Sequence, residues 1–271
     1  MEFFVKPFEK IITVNSFVDA IDAIREPGFV FAGEMHDFWE VVFVENGFVT
    51  ASAEEQVYNL CAGQIIFHKP NEFHRIRTNG KNPAHLLIIS FESCGTGMEE
   101  FEKKCYTLTQ SEIEEYTNMF FALQAACESY DGKEMDNILA AKASNLLEGF
   151  LLGLKNKNSV KKIEYSQNEK RYKEIVTIMK EHCDEWLNIC DIAALCHMSP
   201  SNVKRIFSLY CDMGISKYFL TLKLRKACEM LLEGVSISEV SSALGFCSVN
   251  YFHTVFKREI GVTPNKYTLE K

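Results

Sequence analysis

The stretch "GFCSVNYFHTVFKREIGVTPNKY", residues Gly245 to Tyr267, determines how the C-terminal part of the chain is interpreted. Its apolar residues recur at the spacing of one helix face, which predicts a helix with a buried side. We assign to that core Val249, Tyr251, Phe252, Val255 and Phe256. The opposite side is polar and cationic, with Asn250, His253, Thr254, Lys257 and Arg258. Such a helix either has an ordinary solvated surface or contacts a nucleic acid, and the stretch alone leaves both possibilities open.

The same organisation occurs twice, which favours contact with a nucleic acid. The quoted helix follows a short one, "ISEVSSALGF", that begins with a capping box of Ser236 and Glu239. Upstream, "ICDIAALC" follows the N-cap residue Asn188, and "PSNVKRIFSLY" begins with Ser199 as N-cap and Pro200 at its first position. Two helices joined by a short turn form a helix-turn-helix unit, and two such units in tandem are a stronger signal than one.

The second helix of the upstream unit has the same division between an apolar and a polar side. Its polar side presents Ser201, Asn202, Lys204 and Arg205. Arg and Lys are suited to guanine and Asn to adenine in the major groove. For any single one of these residues, a merely solvated side chain remains the alternative.

The charge is divided unevenly along the chain. The net charge is −8, but the residues from Tyr172 onward contain 12 Lys and Arg against 11 Asp and Glu. The acidic excess therefore belongs to the N-terminal part, and a nearly neutral C-terminal domain can bind DNA if its cations lie on one face. No apolar run approaches the roughly 18 residues of a membrane span. The start of the chain lacks the pattern of a secretory signal, so we expect a cytoplasmic protein without a membrane partner.

The ten cysteines show no metal-binding or redox pattern. None of them forms a C-x-x-C pair. We expect reduced thiols that act mostly as small apolar side chains.

The N-terminal part changes from β to helical patterning. Short runs rich in Val, Ile and Phe over residues 27–91 predict antiparallel strands, the first of them at residues 28–33, with a hairpin at Asn46 and Gly47. Residues 111–154 predict two amphipathic helices, the first capped by Ser111 and Glu114 and the pair joined by the turn "YDGK". The apolar stripe of the second helix includes Met135, Ile138 and Leu146. These helices either cover the sheet or form a dimer interface, and the apolar residues Phe121, Leu147 and Leu151 outside the main stripes favour a homodimer.

The C-terminal segments resemble the AraC/XylS-type transcription regulators. The resemblance rests on "DIAALCHMSPSNVKRIF", "LRKACEMLL" and "ISEVSSALGFCSVNYFHTVFKREIGVTPNKY". It implies two helix-turn-helix units that insert into successive major grooves on one face of double-stranded DNA. Asn250, His253 and Thr254 are then candidates for base contacts, whereas Lys257 and Arg258 are candidates for phosphate contacts. The chain departs from the family at Thr268, where an Arg is common.

The N-terminal part resembles the cupin-like sensor barrels that regulators of this family carry. The segments are "GEMHDFWEVVFVENG" and "AGQIIFHKPNEFHRI". Glu34, His36, Glu40 and His74 stand where metal-dependent cupins have their ligands, but Glu34 replaces the first His. Imidazoles and carboxylates can hold a divalent metal. We nevertheless assign no metal or other cofactor, and expect an organic effector in a pocket with polar and aromatic walls: Phe31, His36, Trp39, Glu40, Phe67 and His74.

Together these observations predict an α+β multidomain protein. It has a cupin-like antiparallel β-barrel for effector sensing at 1–105, a helical hairpin for dimerisation at 106–157, a linker at 158–171 and an all-α DNA-binding domain with two helix-turn-helix units at 172–271. The predicted function is a sequence-specific transcription regulator, with RNA polymerase as a further partner, and not an enzyme. The alternatives are a metal-dependent cupin enzyme fused to a DNA-binding module and a constitutive DNA-binding protein with a vestigial barrel.

Overall fold

The computed structural model describes residues 9–130, 136–157, 159 and 166–270. The chain divides into two compact units, Met1–Ile163 and Glu164–Lys271. Within the described residues, no helix combines the length and the apolar character that crossing a membrane requires.

The first unit is built on two antiparallel sheets. One sheet has the strand order β1-β7-β2-β5-β8 and the other has the order β4-β3-β6. The strands are β1 (Thr13–Arg25), β2 (Trp39–Asn46), β3 (Phe48–Ala53), β4 (Gln56–Cys61), β5 (Gln64–His68), β6 (His74–Thr78), β7 (Ala84–Cys94) and β8 (Cys105–Thr107). A short 3-10 helix, Met98–Phe101, precedes β8. The predicted cupin-like β architecture is confirmed.

The longest strand lies outside the predicted β region. Strand β1 pairs along its whole length with β7, but its register shifts twice, between Val14 and Ser16 and between Phe17 and Asp19. Each shift breaks the alternation of apolar and polar residues by which a strand is recognised. Conversely, the predicted strand at residues 28–33 is reduced to an isolated bridge between Val30 and Arg77.

The predicted hairpin at Asn46 and Gly47 is wrong. Strand β2 pairs with β5 and β7, whereas β3 pairs with β4 and β6, so the turn is a corner between two sheets. Gly47 has a φ of +87°, and a Cβ there would lie 2.8 Å from the carbonyl oxygen of Pro83. Glycine is therefore required by a close approach of the backbone as well as by its dihedral angle.

The five-stranded sheet buries a different core on each face. Between the sheets lie small aliphatic side chains such as Val42, Val44 and Ala51. The other face packs against two helices, α1 (Gln110–Glu128) and α2 (Asn137–Lys155), and carries larger side chains such as Phe43 and Phe91. Because successive side chains of a strand point to opposite faces, the register alone decides which core a residue joins.

The helical hairpin differs from the prediction in its cap and in its faces. The capping box of α1 is Thr109 with Glu112, two residues before the predicted one. Leu147 and Leu151, which the sequence assigns to a dimer interface, are fully buried in the core against the sheet. Ile138 and Leu146, assigned to the buried stripe, are instead exposed. The predicted turn around residues 131–133 and the predicted stripe residue Met135 lie outside the described residues.

The second unit is entirely helical in its described secondary structure. Its helices are α3 (Gln167–Glu181), α4 (Ile189–Leu195), α5 (Pro200–Ser208), α6 (Ile215–Leu232), α7 (Ile237–Ala243), α8 (Val249–Ile260) and α9 (Pro264–Glu270). Helices α4 and α5 form the first predicted helix-turn-helix unit, α7 and α8 form the second, and α6 joins them. The caps predicted at Asn188, Ser199 and Ser236 are all present.

Two details of this unit correct the sequence analysis. The segment predicted as a linker is helical from Gln167, because Ser166 and Glu169 form a capping box that begins α3. Residues 158 and 160–165 of that segment lie outside the described residues. Val249 and Tyr251 are not core residues: they are 36% and 44% exposed, whereas Phe252, Val255 and Phe256 of the same helix are fully buried.

A buried lysine joins three parts of this unit. Lys223 of α6 is completely buried, and its Nζ donates hydrogen bonds to the carbonyl oxygens of Cys183, at 2.5 Å, and Leu244, at 2.9 Å. Cys183 follows the end of α3, and Leu244 caps the end of α7. The ammonium group therefore stabilises two helix C-termini, where backbone carbonyls lack partners and positive charge is favoured.

Candidate functional site

The first candidate DNA-contacting surface is the polar side of α5. Val203, Ile206 and Phe207 bury the opposite side of this helix. Lys204 and Arg205 are exposed. Ser201 is exposed as well and Asn202 is half-buried, so the four predicted residues lie on the solvent side of the helix.

Arg205 and Asn202 are linked to each other. The guanidinium of Arg205 donates from Nη2 and Nε to Oδ1 of Asn202, at 3.0 and 3.3 Å. These two bonds fix the orientation of the guanidinium, and its remaining N–H donors stay available to a partner. Their spacing of three on a helix is one at which side chains are in contact, so this link could have been predicted from the sequence.

The second candidate surface is the polar side of α8. Asn250, Thr254, Lys257 and Arg258 are exposed, and His253 is half-buried. The hydroxyl of Thr254 donates to the carbonyl oxygen of Asn250 at 3.0 Å, and Nε of Arg258 donates to Glu259 at 2.6 Å. Asn250 lies in the first turn, two residues after the N-cap Ser248. The first turn is the part of such a helix that reaches base edges in helix-turn-helix proteins.

The first unit contains a cluster of imidazoles and carboxylates, which backbone contacts hold in place. The backbones of Glu34 and His74 exchange two hydrogen bonds, each of 3.0 Å. Gly33 makes this approach possible: its φ is +100°, and a Cβ there would lie 2.5 Å from the ring of Phe73 and 2.8 Å from the carbonyl oxygen of His74. The segment that carries Glu34 and His36 is thereby fixed against β6.

Both histidines of the cluster are oriented by backbone carbonyls. Nδ1 of His36 lies 3.0 Å from the carbonyl oxygen of Phe38, and Nδ1 of His74 lies 3.0 Å from that of Glu72. A carbonyl only accepts, so each Nδ1 carries the proton. In the neutral form of each ring, Nε2 then presents a lone pair, and both Nε2 atoms are buried without a hydrogen-bond partner among the described residues.

Two carboxylates face these nitrogens. Nε2 of His74 lies 3.4 Å from an oxygen of Glu40 and 3.8 Å from one of Glu34, and Nε2 of His36 lies 3.9 Å from the second oxygen of Glu40. One ligand atom from each of the four residues lies within 4.8 Å of all the others. Glu40 and His74 are buried, whereas the side chain of Glu34 is half-exposed and opens the cluster to solvent.

The pKa values of the cluster reflect burial and mutual proximity. Burial raises the pKa of Glu40. Burial, together with the neighbouring His74, lowers the pKa of His36. Burial opposes protonation of His74 as well, but the carboxylates of Glu34 and Glu40 outweigh it and raise its pKa. The interaction with His74 lowers the pKa of Glu34.

Two further residues extend the cluster, and the sequence analysis missed both. The ring of His68 stacks on that of His74, with centroids 4.2 Å apart, and Nδ1 of His68 lies 3.4 Å from a carboxylate oxygen of Glu72. Burial lowers the pKa of His68 well below its usual range and raises that of Glu72 to about 7. The signal that could have revealed His68 is its position in β5, where it pairs with Glu40 of β2.

The structure does not bring all six predicted effector residues together. Trp39 and Phe67 pack in the core between the sheet and the helices, because they alternate with Glu40 and His68 on their strands. They therefore lie on the face of the sheet that is turned away from the cluster. Phe31 is half-buried, and its backbone N–H donates to Ile76 of β6 at 2.9 Å. His36, Glu40 and His74 remain as a common site.

The comparisons with known families cover both units. Residues 21–94 match the AraC-like ligand binding domain, and residues 192–269 match a helix-turn-helix domain. The first match contains most of the barrel with Glu34, His36, Glu40 and His74, and the second contains α5 and α8.

Similar proteins include several regulators. The HTH-type transcriptional regulator YfiF of Bacillus subtilis is 24% identical over 86% of this chain and 77% of its own length. The HTH-type transcriptional activator RhaS of Escherichia fergusonii is 24% identical over 89% of both chains. Among solved structures, ToxT from Vibrio cholerae aligns with 96% of this chain and 98% of its own, at 12% identity and a TM-score of 0.39.

Proposed function

We propose that this chain reads its DNA site with α5 and α8. The chain is a DNA-binding transcription regulator of the AraC type with an N-terminal ligand-binding domain, and it is not an enzyme. The observation that supports this assignment is the repeated design of the two helices. Each is capped by a serine, buries one apolar side and exposes a polar, cationic side.

The two helices divide into base-reading and phosphate-binding residues. Arg205, held by Asn202, has the donors for a guanine, and Asn250 has the donor and acceptor for an adenine. Lys257 is exposed two turns further along α8 and is suited to a phosphate. Ser201, Lys204, His253, Thr254 and Arg258 complete the proposed surface.

The test is a comparison of three variants on systematically mutated sites. Arg205→Ala and Asn250→Ala should each relax selectivity at one base pair, by about 1–3 kcal/mol. The two positions should lie about ten base pairs apart, because tandem units read successive turns of the duplex. Lys257→Ala should weaken all sequences alike and reduce the salt slope by about one unit. Uniform losses for all three variants would refute the assignment of base readers.

The N-terminal unit is proposed to bind a small organic effector at the open end of the cluster. His36, Glu40 and His74 supply the polar groups, and Phe31 supplies an aromatic wall near Glu34. Trp39 and Phe67 are no longer part of this proposal. A metabolite screen by thermal unfolding tests it, since a ligand that binds only the folded state raises the transition temperature. If no compound does so, the barrel is a structural module.

A homodimer is proposed through the outward side of α2, a surface different from the one that the sequence suggests. Exposed on this side are Ile138, Leu146 and Leu152. Gly149 and Gly153 are exposed on the same helix, and a Cβ at either position would meet nothing within 4 Å. Glycine inside a helix costs about 0.5–1 kcal/mol. Among the described residues of this unit, no contact requires that cost, whereas close packing of a second helix does.

Light scattering on charged variants tests the dimer. Leu146→Glu should give monomers, because a charge on this surface is buried when two copies associate. Ile24→Glu is the matched control: Ile24 is an exposed apolar residue that belongs to β1 and not to α2. If Leu146→Glu has the same mass in solution as the wild type and the control, the outward side of α2 is not the interface.

The cellular setting follows from the partner. We place the protein in the cytoplasm with its DNA, in keeping with ten free cysteines, and propose that it acts on RNA polymerase at the promoter. A pull-down of polymerase on promoter DNA, with and without the regulator, tests the second statement.

A further inference from the structure

We infer that Glu34, His36, Glu40 and His74 bind a divalent first-row transition metal ion. The inference concerns the same ligand-binding unit as the proposed function and deepens it. It does not depend on DNA binding.

The lone pairs of the two histidines lie on the ring nitrogens that face the cluster. Each histidine gives its Nδ1 proton to a backbone carbonyl, so both Nε2 atoms are acceptors. Glu34 and Glu40 contribute further acceptors at 3.4–3.9 Å. Four acceptors thus converge, and within the described residues neither Nε2 has a hydrogen-bond donor. Histidine ligands of metals have this arrangement, with the second ring nitrogen bonded to a carbonyl.

The two Nε2 nitrogens are also buried. The side chain of His74 is only 4% exposed, and an unpaired buried nitrogen is costly. A cation at the centre satisfies both nitrogens at once. Two carboxylates also balance the charge of a divalent ion.

The distances between the ligand atoms also favour a metal ion. Metal–ligand bonds of about 2.0–2.2 Å in a tetrahedral site place neighbouring ligand atoms about 3.4 Å apart. The shortest separation in the cluster is 3.4 Å and the others extend to 4.8 Å. The adjustment needed to bring the wider separations to this value is assigned to Glu34, whose side chain is half-exposed.

A proton shared between His74 and the carboxylates is the competing explanation. Charge-assisted hydrogen bonds have lengths of about 2.7–2.9 Å. The distances from Nε2 of His74 are 3.4 and 3.8 Å, which are too long for such bonds. The cluster is therefore spaced for an ion with short bonds to each ligand.

The donor set selects the class of metal. Imidazole nitrogen is suited to zinc, iron, nickel and copper, whereas calcium requires six to eight oxygen ligands. Two nitrogens and two carboxylates therefore favour ions such as Zn²⁺ or Co²⁺ over Ca²⁺ and Mg²⁺. No reaction is assigned to the ion.

The experiment is a titration of the full chain, freed of metal by a chelator, with Co²⁺. We expect one equivalent to bind, with visible absorption bands that lack the intense near-ultraviolet transitions of thiolate ligands, which excludes the ten cysteines. Glu34→Gln and His74→Gln should each weaken binding at least tenfold. His85→Gln is the control, because His85 lies between Asp22 and Glu45 at the surface and outside the cluster. Ca²⁺ should not compete.

Several outcomes decide the matter. The inference is overturned if Co²⁺ does not bind, if Glu34→Gln binds as well as the wild type, if His85→Gln abolishes binding, or if the spectrum shows thiolate ligands. Glu34 is half-exposed, so its variant keeps the test valid even where His74→Gln disturbs folding. Loss of DNA binding with metal binding retained refutes the proposed function alone, whereas DNA binding without metal binding refutes only this inference.

Discussion

Lys223→Met tests whether a buried ammonium group holds the two helix-turn-helix units in their arrangement. Methionine keeps the length of the side chain but removes the donors to Cys183 and Leu244. Each carbonyl left without a partner costs about 1–3 kcal/mol. Loss of the ammonium group, 5.1 Å from the rings of Trp186 and Phe219, adds about 0.5–2 kcal/mol.

One effect of the substitution opposes this loss. Burial lowers the pKa of Lys223, which means that the charged form is partly destabilised in the folded state, and methionine removes that cost. The expected net loss is therefore about 2–4 kcal/mol in the free energy of unfolding of the C-terminal unit. For a unit of this size, the loss corresponds to a fall of about 10–20 °C in its transition temperature.

Calorimetry of the full chain measures this fall, with Lys226→Met as the matched control. Lys226 lies on the same helix, is exposed and pairs with Glu229 at 3.2 Å. Exposed ion pairs contribute about 0–1 kcal/mol. Equal shifts for the two variants would refute the structural role of Lys223. A fall confined to Lys223→Met, accompanied by weaker binding to DNA, would show that the same contact maintains the spacing of α5 and α8.

Two further substitutions test local features of the fold. Gly33→Ala should destabilise the first unit by about 1–3 kcal/mol, because the added Cβ would collide with Phe73. Gly28→Ala is the control and should cost less, because Gly28 also has a positive φ but a Cβ there would meet nothing within 4 Å. Chemical denaturation compares the free energies of unfolding of the two variants. Ser236→Ala should lower the free energy of unfolding by about 1 kcal/mol, because it removes the cap of α7. Ser238→Ala, within the same helix, should be nearly neutral. Equal losses of stability for the two variants in calorimetry would contradict the capping role of Ser236.

The C-terminal unit could be predicted closely because its signals are local. Caps such as Ser199 and Ser236 act within three residues, and the apolar stripes of α5 and α8 depend only on helical spacing. Val249 and Tyr251 are the exceptions, because both are exposed. Tyr251 lies beside Phe252 in sequence but on a different part of the helix surface, so its aromatic character misled the assignment.

The N-terminal unit was harder to predict because its information is long-range. The bulges of β1 remove its period, and the corner at Gly47 separates strands that an Asn-Gly turn would pair. Similarly, Leu146 and Leu147 are neighbours of equal hydrophobicity, yet one is 47% exposed and the other fully buried. Only the packing of α2 against the sheet distinguishes them.

The two faces of the five-stranded sheet explain which residues of the effector site were assigned correctly from the sequence and which were assigned wrongly. Residues were grouped by chemistry, so Trp39 was assigned together with Glu40, its neighbour on β2. On a strand, neighbours point to opposite faces. Trp39 therefore stabilises the contact with the helices, while Glu40 joins His68 of β5, its partner across the sheet, and His74 of β6. The same alternation that places large aromatic residues under the helices thus leaves the inner face with small aliphatic side chains and one polar end. There, Nε2 of His36 and Nε2 of His74 are buried without a hydrogen-bond partner among the described residues, and a bound ligand would supply one.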